Sequence, residues 1–309
     1  MRIAQNKYFA NRILEHEGIP VPKAVLLEKD TYEEALLTQQ LDSLRFPLVV
    51  KPLNEGRGTG VLCNIQTLDE LKPALNQGFE QFDTLIVEEF HAQLTSYRVL
   101  VFNQRVLSVV VRHPASVLGD GEHTIEELVT LENKERQRIN AFLGPILLDT
   151  EARIRFKERG IDKQYIPAMG EKIVLAYTSN ATRGGSFETF NQKICKENSQ
   201  LMCKAANVLN LKIVGIDVEC ADISKPMDHA RDVLIEINKV PSVRIHELPM
   251  RGRPHLVTRK IIRYFIYRHP IAYLYSLYFN KQTAFYIKSF IVTVIIGLIY
   301  WLGSDISLP

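Results

Sequence analysis

The stretch FPLVVKPLNEGRGTGV, from Phe46 to Val61, decides how this chain folds. Its first half is apolar and rich in β-branched residues, which predicts a strand, and VLCNI from Val61 predicts a second strand. Between them, Gly56, Gly58 and Gly60 occupy alternate positions. Glycines at this spacing let backbone N–H groups approach phosphate oxygens without obstruction by side chains. The pattern is typical of a loop that covers a phosphate.

The residues after the loop distinguish between the kinds of phosphate loop. A Walker loop ends in Gly-Lys-Ser/Thr and enters a helix, and a dinucleotide-binding fold also needs that helix. Here Thr59 and Gly60 lead into a strand. The sequence therefore favours a strand–loop–strand flap over a nucleotide, with Lys51 on the entering strand directed at the phosphates. A flexible hairpin without a ligand is the alternative that this segment alone leaves open.

Carboxylates in two apolar strands form a second candidate site. Asp217 lies within GIDVEC, and Glu236 and Asn238 lie two residues apart in LIEIN, so these two share one face of their strand. A carboxylate among apolar neighbours is costly unless it is paired or binds a metal ion. Oxygen ligands of this type suit Mg²⁺ or Mn²⁺ that holds nucleotide phosphates. Salt-bridged strand residues without a metal are the alternative.

Strands and helices alternate along the chain without the regular repeat of a doubly wound parallel sheet. Apolar residues at helical spacing predict a first helix that ends at Gly18, and YRVLVF and VLSVVVR predict a hairpin that turns at Asn103 and Gln104. Further predicted strands are TLIVEEF from Thr84, KIVGIDVEC from Lys212 and DVLIEIN from Asp232. This order favours an α+β fold.

The composition of the whole chain is ordinary, but its C-terminal part differs from the rest. The 309 residues are 46% hydrophobic and 24% charged, which excludes a disordered, collagen-like or disulfide-rich chain. Asp and Glu are absent between Glu247 and Asp305, whereas eight Lys or Arg lie between Arg251 and Lys288. The formal charge of +3 therefore combines an acidic body with a basic tail.

Residues 283–303 form an apolar segment. Its length is close to the ~20 residues that a helix needs to cross a membrane. Lys288 is its one charge, and the stem of this side chain can run along the helix to the headgroups. Tyr300 and Trp301 lie near the other end, as interfacial aromatic residues do. A transmembrane helix is therefore expected, and a buried C-terminal helix is the alternative.

Residues 251–282 combine basic and aromatic side chains, and Pro270 divides them. This composition suits a segment in the headgroup region, although an aromatic helix packed on the body is the alternative. A basic flank is cytoplasmic by the positive-inside rule. The N-terminus lacks the apolar core of a secretory signal. We therefore expect a cytoplasmic body that is anchored to the inner membrane by the C-terminal helix.

The order of motifs over residues 6–249 resembles that of the ATP-grasp ligases, in particular the ATP-grasp modules of cyanophycin synthetase and of bifunctional glutathione synthetases. Besides the stretch from Phe46, the motifs are GIPVP from Gly18, LIVEEF from Leu85, YRVLVF from Tyr97, RHPASVLGDGEHTIEELV from Arg112, NATRGG from Asn180, VGIDVEC from Val214 and LIEINKVPSVRIHELP from Leu234. Agreement of several motifs in both type and order is far more specific than any one of them.

The resemblance implies an ATP-grasp fold of two α+β lobes, residues 1–84 and 85–250, that enclose ATP and two Mg²⁺ or Mn²⁺ ions. It also implies an ATP-dependent carboxylate–amine ligase. Such an enzyme moves the γ-phosphate to a substrate carboxylate, and an amine then attacks the acyl phosphate to give an amide. The expected partners are a small-molecule or peptide carboxylate, an amine and the membrane, and nucleic acid is not expected.

The resemblance further implies roles for individual residues. Those expected to bind ATP are Lys7, Lys51, Asn54, Gly56, Gly58, Gly60, Glu88, Glu89, Phe90, His91 and Ser96. Those expected to bind the metal ions are Asp217, Glu236 and Asn238. Those expected to face the transferring phosphate are Arg98, Asn180 and Arg183. Those expected to face the acceptor substrate are Arg112, Arg244 and His246.

Three positions depart from the pattern of the family. Ser96 stands where related ligases have an acid that accepts the ribose hydroxyls, Arg183 stands in a turn usually written Ser/Thr-Gly-Gly, and Lys239 follows the last metal ligand. A catalytically weakened ATP-binding module, tethered for partner recruitment or nucleotide sensing, is therefore the alternative function. Because the chain begins at the nucleotide-binding module, we expect a homo-oligomer or a partner protein to supply the family's usual N-terminal domain.

Overall fold

The computed structural model of the chain describes residues 6–55, 59–91, 93–139 and 143–304. Gly56 and Gly58 of the predicted flap lie outside the described residues. The chain divides into two units, the first ending at Val257 and the second beginning at Thr258. The first unit contains the three sheets that the described residues form.

The first sheet is built from the N-terminal part of the chain. The elements in this part are α1 (Lys7–His16), β1 (Ala24–Glu28), α2 (Leu37–Gln40), β2 (Leu48–Pro52), β3 (Leu62–Ile65), α3 (Leu68–Gln81) and β4 (Thr84–Glu89). The four strands are antiparallel in the order β1-β4-β2-β3. Thr67 caps α3 by accepting a hydrogen bond from the Glu70 N–H, and the apolar face of α3 is buried with the sheet through Leu71 and Leu75.

The remainder of the first unit contains the second large sheet and a separate pair of strands. Its elements are β5 (Thr95–Phe102), β6 (Arg105–His113), β7 (Ser116–Leu118), α4 (Ile125–Ile139), α5 (Thr150–Arg159), β8 (Lys172–Val174), β9 (Ser186–Thr189), α6 (Lys196–Val208), β10 (Ile213–Cys220), β11 (Val233–Asn238) and α7 (Arg244–Glu247). Five antiparallel strands lie in the order β11-β10-β5-β6-β9, and β7 and β8 form a separate pair. Leu14 of α1 is buried in the core of the five-stranded sheet.

Two local predictions are confirmed. The strands β2 and β3, on either side of the predicted flap, pair antiparallel. The hairpin of β5 and β6 turns at Asn103 and Gln104, whose φ angles are 48° and 60°. Positive φ at both central residues is what a tight two-residue hairpin turn requires. The predicted lobe boundary after residue 84 falls inside β4, so the first sheet continues to Glu89.

The second unit is helical where the structure describes it. Its helices are α8 (Val257–Arg268), which begins at the last residue of the first unit, α9 (Pro270–Phe279) and α10 (Lys281–Ser304). Helix α8 ends before Pro270, as predicted, because the proline ring is incompatible with a continuous helix. Residues 281–303 are long and apolar enough to cross a membrane. Their large apolar side chains are exposed, so a helix buried within the protein is not what the structure shows.

Candidate active site

An open cavity of about 1220 Å³ is lined by strands of both large sheets. It brings together most of the residues that the sequence singled out, although they come from separate segments of the chain. The predicted site residues that line it are Lys7, Lys51, Glu88, Glu89, Phe90, His91, Ser96, Arg98, Arg112, Asn180, Asp217, Glu236, Asn238 and Arg244.

Asp217 is a buried carboxylate that lines the cavity. In the register of the sheet it lies opposite Arg98 on β5 and opposite Glu236 on β11. Arg98 donates two hydrogen bonds to the Asp217 carboxylate, one of them 3.0 Å from Nη2 to Oδ2, and Arg112 donates from Nη1 to the same Oδ2 at 3.1 Å. Burial alone would raise the pKa of Asp217, but the charges of Arg112 and Arg98 hold it below its usual value.

Gly215 leaves the room that the Arg98 side chain occupies. A Cβ atom at Gly215 would lie 3.1 Å from Nη1 of Arg98 and 2.9 Å from Cβ of Pro241. The first of these distances is tight, and the second is shorter than such carbon contacts normally are. A glycine two residues before Asp217 therefore permits the paired arrangement of the guanidinium and the carboxylate.

The predicted metal ligands lie on adjacent strands and share the cavity. Glu236 Oε1 is 3.1 Å from Lys7 Nζ, and Asn238 Nδ2 is 3.5 Å from Asp217 Oδ2. Among the described residues, no group of three or more His, Cys, Asp or Glu side chains could by itself hold a metal ion. Two carboxylates and one amide oxygen are nevertheless the hard donors that Mg²⁺ or Mn²⁺ prefers, so the donor set fits such an ion.

Lys51 and Glu88 form a buried ion pair between β2 and β4. Lys51 Nζ is 2.6 Å from Glu88 Oε1, and the two side chains are 12% and 5% exposed. Lys7, at the start of α1, donates from Nζ to the backbone oxygen of Glu55 at 2.8 Å. One ammonium therefore lies on the strand that enters the predicted flap, and a second contacts the flap itself.

The predicted adenine-binding residues follow the end of β4. The Glu89 carboxylate accepts a hydrogen bond from the Arg45 N–H at 3.0 Å. The Phe90 ring packs edge-on against Tyr177, with the ring centroids 5.5 Å apart. His91 Nδ1 lies 2.9 Å from the backbone oxygen of Arg231. These contacts fix the chain where it passes from the first sheet to the second.

Glu219 also lines the cavity, although it is not among the predicted site residues. It lies two residues after Asp217 on β10 and opposite Ser96 on β5. Burial raises the pKa of Glu219 to about 7, while the hydrogen bond from Ser96 and the charge of Arg112 lower it and the charge of Asp217 raises it. The two-residue alternation in GIDVEC could have identified Glu219, because Asp217 and Glu219 share a strand face.

Four predicted residues that the structure describes do not line the cavity. Asn54 and Gly60 are exposed at the flap. Arg183, predicted to face the transferring phosphate, instead forms ion pairs with Asp149 and, at 3.7 Å, with Glu151. Asn180 lines the cavity from this turn, together with Ala181 and Thr182, and its Oδ1 accepts from the Thr182 N–H at 3.0 Å.

His246, predicted to face the acceptor substrate, is fully buried and does not line the cavity. Its Nδ1 lies 2.8 Å from Ser108 Oγ, which lies 2.7 Å from Nδ1 of His255. Burial, together with the charges of Arg98 and His255, lowers the pKa of His246 to about 3, and the charge of Asp217 opposes this shift. His246 therefore belongs to a buried His–Ser–His chain behind Arg98. Arg112, also predicted at the acceptor site, contacts Asp217 and Ser96.

Comparison with known proteins agrees with this geometry. Residues 13–122 match the family described as D-ala D-ala ligase C-terminus. The chain is 32% identical over 268 residues to the cyanophycin synthetase of Synechocystis, covering 85% of this chain and 30% of that protein. It is 30% identical over 265 residues to the bifunctional glutathione biosynthesis protein GshAB of Clostridium perfringens, covering 84% and 34%. The chain thus spans about a third of the length of these relatives.

A solved structure shows the same fold. The bifunctional glutathione synthetase of Pasteurella multocida superposes with a TM-score of 0.59 at 24% identity, over 86% of this chain and 37% of that one. The two antiparallel sheets and the cavity that both line are thus those of an ATP-grasp protein. The chain therefore has the ATP-grasp fold, and its residues 13–122 match the D-ala D-ala ligase C-terminus family.

Proposed function

We propose that this chain is an ATP-dependent carbon–nitrogen ligase that joins the carboxylate of an amino acid or peptide to an amine. The observation that carries the proposal is the meeting of Lys7, Lys51 and the Asp217–Glu236–Asn238 set on one cavity. This is the combination of cationic groups and hard oxygen ligands that phosphoryl transfer from a nucleotide needs. The names of the matched family and relatives, a ligase, a cyanophycin synthetase and a glutathione biosynthesis protein, support the same chemistry.

The reaction has two steps. A carboxylate oxygen of the substrate attacks the γ-phosphorus of ATP, the bond to the β-phosphate oxygen breaks, and ADP leaves. The amine then attacks the carbonyl carbon of the acyl phosphate, inorganic phosphate leaves and the nitrogen loses a proton, which forms the amide. The protein supplies position and charge rather than a nucleophile of its own.

The residues of the cavity have different roles in this reaction. Lys51 and Lys7 supply positive charge beside the flap for the phosphates of ATP. Arg98 orients the Asp217 carboxylate, and the backbone at Glu89 to His91 receives the base. Asp217, Glu236 and Asn238 would hold Mg²⁺ or Mn²⁺, two ions by resemblance to the family, and these would neutralise phosphate charge.

A turnover assay tests the ligase. Full-length protein in mild detergent is incubated with Mg·ATP and pooled amino acids, and ADP and a new amide are measured by mass spectrometry. We expect both products from the wild type and neither from Glu236→Gln, which preserves shape but removes a carboxylate charge. Nucleotide binding without ADP above the Glu236→Gln control would contradict the proposal and favour a weakened ATP-binding module.

We also propose that α10 anchors the ligase to the cytoplasmic face of a membrane. The support is an exposed apolar helix of sufficient length, preceded by a segment with basic and aromatic side chains and no acid. We expect the protein to remain in the membrane pellet after washing with high salt and then with alkaline carbonate. Release by salt alone would show that only the basic residues bind the surface.

A further inference from the structure

We propose that Glu219 binds the ribose hydroxyls of the nucleotide. It would replace the acid that related ligases have at the position of Ser96. The inference rests on the proposed function, since it assumes ATP in the cavity. It assigns to Glu219 the selection of a ribonucleotide over a deoxyribonucleotide.

The position of Glu219 in the sheet supports this role. Glu219 lies opposite Ser96, the second residue of β5, whereas Asp217 lies opposite Arg98 further along that strand. At ~3.3 Å per residue, Glu219 is about 7 Å from Asp217 along β10. This displacement is toward the start of β5, which follows residues 89–91, the segment proposed to receive the base. A nucleotide with its phosphates beside Asp217 and its base at the His91 end therefore places its sugar beside Glu219.

The hydrogen bonds of Ser96 explain why Ser96 itself is not the acceptor of the ribose hydroxyls. Its Oγ accepts from Nη2 of Arg112 at 2.9 Å, and its single hydroxyl proton is donated to the Glu219 carboxylate. A hydroxyl engaged in both ways has little capacity left for a sugar. The Glu219 carboxylate has two oxygens with four acceptor positions, and Ser96 satisfies one of them.

The chemistry of the acceptor selects a vicinal diol. The 2′ and 3′ hydroxyls of ribose are adjacent donors, and a carboxylate accepts from both at once. Ser96 donates to the Glu219 carboxylate and the charge of Arg112 stabilises its ionised form, while Glu219 itself lines the cavity that would hold the nucleotide. Removal of one hydroxyl from the sugar removes one charge-assisted hydrogen bond.

Competition binding tests the inference on full-length protein in mild detergent with Mg²⁺. The Kd is measured for ATP, 2′-deoxy-ATP and 3′-deoxy-ATP. We expect the wild type to bind ATP about tenfold more tightly than either deoxy analogue, because a hydrogen bond to a charged group is lost. Glu219→Gln should bind ATP about tenfold more weakly and the deoxy analogues only severalfold more weakly, so its preference for ATP over the deoxy analogues should shrink. Ser242→Ala, at another cavity-lining position, should keep the preference of the wild type.

The possible outcomes distinguish the role proposed for Glu219 from the proposed ATP-dependent ligase activity on which it rests. Wild-type protein that binds none of the three nucleotides would overturn both. A Glu219→Gln variant that binds nucleotides and keeps the preference for ATP would overturn the inference alone. Equal weakening for all three nucleotides, or a changed Mg²⁺ requirement, would show a structural or metal-binding role and also overturn it.

A second variant keeps the test decisive if Glu219→Gln does not fold, as judged by its thermal melting. Ser96→Ala removes the hydroxyl that orients Glu219 but retains the carboxylate. We expect this variant to lose part of the preference for ATP over 2′-deoxy-ATP, by severalfold. An unchanged preference in Ser96→Ala would count against Glu219 as the ribose acceptor.

Discussion

Three acids of the cavity each contact a basic side chain. Asp217 is held by two guanidiniums, Glu236 lies beside Lys7, and Glu88 is paired with Lys51. Each pair joins elements that are distant in the sequence, so the charges also connect the elements of the site. The same pairing reduces the cost of burying carboxylates that the proposed ligase requires for its ligands.

The buried Lys51–Glu88 pair predicts a large and reversible change in stability. Glu88→Leu leaves the Lys51 ammonium unpaired in a buried position, which should lower the free energy of unfolding by about 3–5 kcal/mol. Adding Lys51→Met removes that unpaired charge and should restore most of the loss. Urea denaturation of the wild type, both single variants and the double variant measures the coupling.

The exposed pair Glu135–Arg138 provides the control, because its side chains are 52% and 81% exposed. Glu135→Leu should leave the urea midpoint almost unchanged, since solvent screens such a pair. If the double variant at Lys51 and Glu88 proves as unstable as Glu88→Leu, the cost does not come from an unpaired ammonium.

His246 predicts that stability falls in mild acid. Its pKa is about 3 in the fold and ~6.5 when unfolded, so below pH ~6.5 the unfolded chain binds a proton that the folded chain does not. The neighbouring groups are Ser108, His255, Arg98 and Asp217. The contribution of His246 to the free energy of unfolding is complete above pH ~6.5. It decreases by up to about 1.4 kcal/mol per pH unit as the pH falls toward 3.

Urea denaturation between pH 7.5 and pH 4 measures this slope. Since other groups also titrate in this range, the informative quantity is the difference from His246→Asn, which keeps a polar side chain but has no imidazole to protonate. We expect the variant to be less stable at neutral pH and to show a shallower decline in acid. Parallel declines in the two proteins would assign the acid sensitivity to other groups.

At the scale of elements, the β5–β6 hairpin has a turn residue that is poorly suited to its backbone. Gln104 has a φ of 60°, where a side chain costs roughly 1 kcal/mol and glycine does not. Gln104→Gly creates the Asn-Gly pair that such turns favour and should raise the free energy of unfolding by about 0.5–1 kcal/mol. The hydrogen bond of its side chain, 3.3 Å from Nε2 to Asn207 Oδ1, is exposed.

Urea denaturation of Gln104→Gly and Gln104→Ala isolates the backbone effect. Both variants lose the contact with Asn207, but only glycine relieves the positive φ, so Gln104→Ala should not be stabilised. Equal midpoints for the two variants would show that the turn conformation costs little.

The elements differ in how far the sequence determines them. The flap strands, the Asn103–Gln104 turn and the break at Pro270 depend on local patterns, namely β-branched runs, residues that tolerate positive φ and the proline ring. The contacts of the site depend instead on register between distant strands. Arg98 and Asp217 are 119 residues apart, and no local pattern specifies that they lie opposite each other.

The same reasoning explains the residues that were misplaced or missed. His246 lies in a motif expected at the substrate site, but its one-turn helix directs it into the core beside Ser108. Arg183 forms ion pairs with Glu151 of α5 and with Asp149, the N-cap residue of that helix. Neither acid lies in the motif that contains Arg183. The alternation in GIDVEC places Glu219 on the strand face of Asp217, but the role proposed for Glu219 depends on its cross-strand neighbour Ser96, which only the register shows.

At the scale of the whole molecule, charge and apolar surface are divided between the two units. The first unit contains the cavity and its paired acids, whereas residues 258–304 contain no Asp or Glu and expose a long apolar helix. The described residues of the second unit therefore add no acid to the proposed active site. Membrane affinity and ATP chemistry should accordingly be separable by cutting the chain between the units.

A chain that ends at Val257 should remain in the supernatant when membranes are sedimented, whereas the full-length chain should pellet with them. The cut retains Val257, which is fully buried, and removes α9, α10 and all but the first residue of α8. In the full-length chain, Ile291→Asp combined with Ile295→Asp places two carboxylates inside α10, each costing about 2.5–3.5 kcal/mol at a membrane centre. This variant should lose resistance to carbonate extraction, and the matched Ile291→Leu with Ile295→Leu should keep it. A chain ending at Val257 that still pellets would place the membrane affinity in the first unit.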